Sequence, residues 1–158
     1  MIKNIIKSFH TDSVKKTITI NASKESVWKK ISNIAELSWV IDVKKTTYLS
    51  KKRRGVGAIR NITFEDNNTI EEHIVAWKEG KHFSYIATDG LPLRAYVATI
   101  SIKSINKSTT RVEWESYFNS KKMTAKQFIN FVTFIGTFYD ESLENLKKSL
   151  EKGTRKYK

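Results

Sequence analysis

The sequence predicts an α+β domain: a curved, seven-stranded antiparallel sheet against one long C-terminal helix, with two short helices after the first strand. Three observations point there. Residues 124–151 carry an apolar stripe at helical spacing. Most of the residues before them form short segments rich in β-branched and aromatic side chains that alternate with polar ones. Polar, Gly- or Asn-containing turns of hairpin length separate those segments.

The last element organises the rest. At a helical step of about 100°, Phe128, Phe131, Val132, Ile135, Phe138, Tyr139, Leu143, Leu146 and Leu150 share one face, and Lys126, Asn130, Thr133, Glu141, Glu144 and Lys148 lie opposite. Thr124 followed by Gln127 has capping-box spacing, in which each side chain satisfies the other's free backbone amide. Lys147, Lys148 and Lys152 suit the negative end of the helix dipole, and Gly153 suits the left-handed position that ends a helix. Such a helix spans roughly 40 Å, so it has to cross a sheet of comparable width. Its apolar face is aromatic in the first half and aliphatic in the second. Gly136 interrupts the aromatic half at about 1 kcal/mol of helix propensity relative to Ala. It either makes room for a ligand or a close backbone contact, or is simply tolerated.

In chain order, residues 1–13 form a leader whose Ile2, Ile5, Ile6 and Phe9 sit at helical spacing among lysines. That pattern is open to membrane-surface contact or to packing on the domain. The domain runs over 14–152, and 153–158 form a basic tail. Val14–Ile20 reads as the first strand. Ser23 is placed to cap a helix carrying Val27, Trp28 and Ile31, and Ile34 to Trp39 reads as a second short helix. Strands follow at 43–49, 58–64, 69–78, 82–88, 94–105 and 110–118. Neighbours joined by such short turns pair antiparallel. Phe83 and Tyr85, then Tyr96, Ala98 and Ile100, then Val112, Trp114, Ser116 and Phe118 each share one side of a strand, facing the aromatic half of the helix. Large aromatics mixed with small residues and hydroxyls suit a roomy pocket.

Composition narrows the chemistry. A chain of 158 residues is one domain's worth. The absence of cysteine removes disulfides, thiolate metal sites and cysteine nucleophiles and fits a reducing compartment. There is no signal-peptide pattern and no run of roughly eighteen apolar residues, so a soluble, cytoplasmic protein is expected. Twenty-nine basic against 16 acidic residues give +13, which favours polyanionic partners. The lysines are scattered, as on a solvated surface, and no strand alternates basic with exposed aromatic residues as a single-strand binder does. Nucleic acid is therefore not the favoured partner, while peripheral contact with an anionic membrane stays open.

Several local marks accompany the element order: Ser23-Lys24-Glu25-Ser26-Val27-Trp28 after the first strand, Gly55-Val56-Gly57-Ala58-Ile59-Arg60 entering the third, and Ile70-Glu71-Glu72-His73-Ile74 with Trp77 in the fourth. Phe83-Ser84-Tyr85, Gly90-Leu91-Pro92, Val112-Glu113-Trp114 and Leu143-Glu144-Asn145-Leu146-Lys147 continue the series. Together, over about residues 14–152, these resemble the START-like and birch-pollen-allergen-like (SRPBCC) superfamily, and within it the bacterial polyketide cyclase/dehydrase branch. The resemblance implies a helix-grip fold, in which a strongly bent sheet grips the long helix around an apolar cavity. It also implies a small hydrophobic ligand, lipid-like or aromatic, and no cofactor. Members bind such molecules, and a minority act on them, so the fold alone assigns no reaction.

The candidate walls of the cavity are Trp77, Phe83, Tyr85, Tyr96, Trp114, Phe118, Phe128, Phe131, Val132, Ile135 and Tyr139, with Arg60 and Glu72 as polar contacts. The resemblance implies a cavity-facing Arg and Glu at those two positions. They are either a cross-strand structural pair or ligand contacts. In a cyclase or dehydratase, Glu72, Arg60 or Tyr85 would handle a proton. Glu71 and Glu72 face opposite sides, so the hairpin register decides which is inside. His10, His73 and His82 fit no metal motif, and His73 with Glu71 reads equally well as a surface ladder. Lys51 to Arg54 beside Gly55-Val56-Gly57 reads as a solvated hairpin tip or as an anion cradle. The remaining reading is a basic interaction module for RNA or an anionic membrane. Phe134, on the flank of the last helix, is a candidate dimer contact.

Overall fold

The computed structural model describes residues 9–120 and 122–152. The leader pattern over 2–8, Gly153 and the basic tail lie outside these residues. Seven strands and two helices follow in the order β1 (His10–Ile20), α1 (Lys24–Ile31), β2 (Val43–Tyr48), β3 (Ile59–Phe64), β4 (Thr69–Lys78), β5 (His82–Asp89), β6 (Ala95–Asn106), β7 (Thr109–Ser120) and α2 (Ala125–Glu151). All strands pair antiparallel in one sheet ordered β1-β7-β6-β5-β4-β3-β2. Every hairpin therefore joins spatial neighbours from β2 to β7, and only β1 crosses to the far side. This is the helix-grip fold.

One expected element is absent. Ile34 to Trp39 is not a helix but a pair of turns, closed by Glu36 N–H to Asn33 O and Val40 N–H to Leu37 O, both at 3.0 Å. A helix here would give the Ile34 carbonyl the amide of Ser38. Instead that amide goes to the Glu36 carboxylate at 3.2 Å, and the carbonyl accepts from the Arg60 guanidinium at 2.7 Å. Tertiary bonding overrides a weak local preference. Ile34, Leu37 and Trp39 are driven into the core instead.

The capping box at the start of α2 forms as the spacing predicts: Gln127 N–H donates to Thr124 Oγ1 at 3.1 Å, and Thr124 N–H donates to Gln127 Oε1 at 2.9 Å. Leu143 and Leu146 are fully buried and anchor the aliphatic half in the common core. Polar ties hold the helix in place: Lys147 to the Thr19 carbonyl (2.7 Å), Lys16 to Asp140 (3.1 Å) and Ser142 to the Ile41 amide (3.1 Å). Gly136 lies against β1, where an added Cβ would meet Lys16 Cε at 3.4 Å. The glycine thus faces a lysine stem, and it is not part of the cavity wall.

Candidate functional site

Between the sheet and the aromatic half of α2 lies a cavity of about 780 Å³. The alternation along β5, β6 and β7 puts Phe83, Tyr85, Tyr96, Ile100 and Trp114 on its sheet wall, while α2 contributes Phe131, Ile135, Phe138 and Tyr139 from successive turns. Arg60 on β3 and Glu72 on β4 stand directly opposite one another in the ladder, and both line the cavity.

Four of the expected wall residues stand elsewhere. Phe118 and Phe128 fill the end of the sheet near β1: Phe118 packs edge-on to Phe128 and Phe131 and stacks on Tyr96, and Phe128 stacks on His10. Val132 lies with Phe128 and Gly136 on the helical row turned toward β1, one row away from Phe131 and Ile135. Trp77 follows a register shift between Ile74 and Ala76 and packs with Trp28 and Phe83 at the other end. Its indole N–H, like that of Trp28, donates to Glu79, at 2.8 and 2.7 Å, and Arg54 joins the same carboxylate. Rings therefore seal the two ends: Phe118 and Phe128 sit on the face that periodicity assigns them, whereas Trp77 is turned inward by the register shift in β4.

The register settles which glutamate is inside. Glu72 is buried, whereas Glu71 bonds to His73 (3.0 Å) and Thr88 (2.7 Å) on the opposite face as a surface ladder. Arg60 places Nε at 3.0 Å and a terminal nitrogen at 2.9 Å from Glu72 Oε1. Both contacts fall on one oxygen, so Oε2 has no hydrogen-bond partner among the described residues. The Arg60 guanidinium also lies over the Tyr85 ring, 4.9 Å from its centroid. Burial pushes the Glu72 carboxyl above its ordinary range, and Arg60 pulls it back only in part.

The hydroxyl groups form the rest of the polar network. Trp114 Nε1 donates to the Tyr85 hydroxyl at 3.0 Å, and the Tyr96 and Tyr139 hydroxyls share a hydrogen bond. Burial raises the pKa of all three tyrosines, so each stays protonated at neutral pH. They can offer hydrogen bonds but are poorly suited to give up protons. Trp39 is buried at 3% exposure and lines the cavity, yet its indole N–H meets no acceptor among the described residues.

Some of the site escaped sequence reasoning. Phe134 and Phe138 line the cavity together with Phe131, a spacing of three or four residues that marks the row they share. Phe134 is 57% exposed at the rim. Trp39, Leu91 and Pro92 come from turns, where no periodicity announces which way a side chain points. The anion-cradle reading of the basic loop is not supported by its geometry. The amides of Gly57 and Ala58 are committed to the carbonyls of Ile74 and Gly55, and Arg54 is held by Ser32 and Glu79. Among the described residues, no three potential metal ligands come together.

The sequence matches, over residues 11–151, the family described as polyketide cyclase / dehydrase and lipid transport. The chain belongs to that family. It is thereby a member of the SRPBCC superfamily, whose fold is a ligand-binding one. A search of curated proteins returns no match. Among solved structures, an uncharacterised Bacillus thuringiensis protein has a TM-score of 0.76 at 20% identity, covering 88% of this chain and 98% of that one. A Thermobifida fusca protein has 0.78 at 16% identity, covering 89% and 93%. A norcoclaurine synthase point mutant from Thalictrum, in complex with a transition-state analogue, has 0.72 at 16% identity, covering 93% and 98%. At these identities the likeness is one of fold. No helix among the described residues is long and apolar enough to cross a membrane.

Proposed function

We propose that this member of the family binds a small hydrophobic molecule with at least one polar group in its internal cavity. The observation that carries the reading is a single buried ion pair, Arg60–Glu72, with one carboxylate oxygen not contacted by Arg60, set among aliphatic and aromatic side chains in a cavity of about 780 Å³. That volume lies within the usual range for small-molecule sites. A few polar groups amid apolar walls are the arrangement that orients a ligand. The family description, which includes lipid transport, and the fold-related synthase with its bound analogue support the same reading. The test is native mass spectrometry of the purified protein against its denatured mass, with displacement of Nile red as a second readout. A defined hydrophobic adduct, or Nile red binding that Ile135→Trp abolishes by filling the cavity, is the expected result. A clean apo mass together with Nile red binding indifferent to Ile135→Trp refutes it.

A second, enzymatic reading has its own observation. Glu72 combines a carboxyl whose pKa burial raises, against the lowering pull of Arg60, with an oxygen that Arg60 does not contact, so it is placed to exchange a proton with a ligand. It predicts that Glu72→Gln abolishes turnover and leaves ligand affinity nearly intact; equal loss of both assigns Glu72 to binding.

A further inference from the structure

We propose that the ligand is an amphiphilic organic cation, an amine whose protonated nitrogen rests at the mouth of the cavity while its apolar body lies among the aromatic side chains. The proposal rests on the cavity-binding reading above and names its ligand class.

It comes from where the charges are. The chain carries 29 lysines and arginines against 16 acidic residues. The cavity reverses that balance: among the described residues Arg60 is the one basic side chain lining it, against Asp42, Glu65, Asp66, Asp89 and Glu72. Arg60 is already answered by Glu72, so the uncompensated charge is that of the four carboxylates at the mouth. Asp42, Glu65 and Asp89 have no salt-bridge partner among the described residues, and Asp66 accepts only from Asn68. Lys44, the nearby cation, reaches Asn67 instead, at 3.0 Å.

The backbone holds these carboxylates around one opening. Asp42 adopts a left-handed conformation (φ 61°), and its carbonyl accepts the Glu65 amide at 2.8 Å, which joins the segment after α1 to the β3–β4 turn. On the other side, Gly90 (φ 97°) packs so tightly that a Cβ would stand 2.0 Å from the Thr69 carbonyl oxygen. That contact keeps Asp89 beside the start of β4, where it pairs with Glu71 in the ladder.

Independent of this acidic rim, the interior itself points to a ligand. Trp39, at 3% exposure, has an indole N–H with no acceptor among the described residues, and Arg60 contacts only Oε1 of Glu72, which leaves Oε2 open to a donor. A buried donor left unmatched, like that of Trp39, is costly, and both residues line the same space. An anionic ligand would be repelled at the rim and would find no free cation within. An ammonium finds favourable potential at the rim, where field lines are focused by the low-dielectric walls.

The test uses three probes with one apolar skeleton, naphthylethylamine, naphthylethanol and naphthylacetate, each displacing Nile red from the full chain. At low salt the amine is expected to bind roughly tenfold more tightly than the alcohol, with the acetate weakest. The protein's net charge of +13 pulls the other way, so surface association cannot produce this order. High salt should bring the amine toward the alcohol. The variant Asp42→Asn/Glu65→Gln/Asp89→Asn should close the gap between them. An amine that binds no better than the alcohol, or a gap that survives the triple variant, overturns the cation while leaving cavity binding intact. If none of the probes displaces Nile red and Ile135→Trp leaves the dye signal unchanged, cavity binding itself falls and the cation with it.

Discussion

Replacing Arg60 by Met removes the cation from a pair in which both partners are almost wholly buried, at 4% and 6% exposure. Two contacts to Glu72 Oε1, at 3.0 and 2.9 Å, and one to the Ile34 carbonyl, at 2.7 Å, are lost together. Breaking a buried pair from one side costs about 3–5 kcal/mol, because a charge is left without compensation. The orphaned carbonyl adds about 1 kcal/mol. Near neutral pH, Arg60→Met should therefore lose about 4–6 kcal/mol in urea unfolding followed by tryptophan fluorescence. The double variant Arg60→Met/Glu72→Leu should recover most of that loss, since no buried charge remains. The pH dependence has a definite sign. Glu72 already titrates above its ordinary 4.5, and Arg60 supplies the influences that lower it; without Arg60 its pKa climbs further. The folded state then holds the proton more tightly than the unfolded chain does. The associated stability is present below about pH 4.5 and is lost as pH rises through the raised folded value. Arg60→Met should accordingly be less destabilised at mildly acidic than at alkaline pH, a trend absent from the double variant. A single variant that loses under about 1 kcal/mol, or a double variant as unstable as the single one, refutes the argument.

Glu79→Gln tests the clamp that Trp28, Trp77 and Arg54 form at the other end of the cavity. The indole bonds from Trp77 and Trp28 are the main causes that hold Glu79 down at about 2, with Arg54 adding to them, and the associated stability is present above about pH 4.5 and lost as pH falls from there through about 2. Because this side chain is 61% exposed, screening limits the effect. The variant should show a lower urea midpoint at neutral pH and a shallower loss of stability on acidification; an unchanged acid limb would dismiss the clamp. Gly136→Ala should stabilise by about 1 kcal/mol through helix propensity, since the new Cβ meets only the movable end of Lys16, at 3.4 Å. A lower unfolding midpoint would show that the lysine stem cannot give way.

Much of the architecture was legible because its causes are local. Turn chemistry and alternation placed the strands within a few residues, and Thr124 with Gln127 marked the helix start that the structure adopts. Ile34 to Trp39 was misread because the decisive partner of its backbone, Arg60, lies 26 residues away. The same holds at the site. Periodicity identified the face on which Phe118, Phe128 and Val132 lie, but not how far along the sheet the empty volume extends, and Trp77 reaches its place only through the register shift in β4.

What the sequence determined by itself is the pattern of faces: which side of each strand and which stripe of α2 are apolar, hence a sheet bent onto one helix and an aromatic interior. These follow from side-chain periods of two and about 3.6 residues, which no distant contact needs to set. The tertiary structure decided the rest. The register between β3 and β4 turned Glu72 inward and Glu71 outward, the two ends of the cavity were plugged by rings from elements distant in the chain, Trp28 with Trp77 and His10 with Phe128, and acidic residues from two loops and the end of β5 met at one mouth. Each of these depends on segments far apart in the chain arriving at the same place, and a charge or an empty volume shared between them has no signature in any one segment.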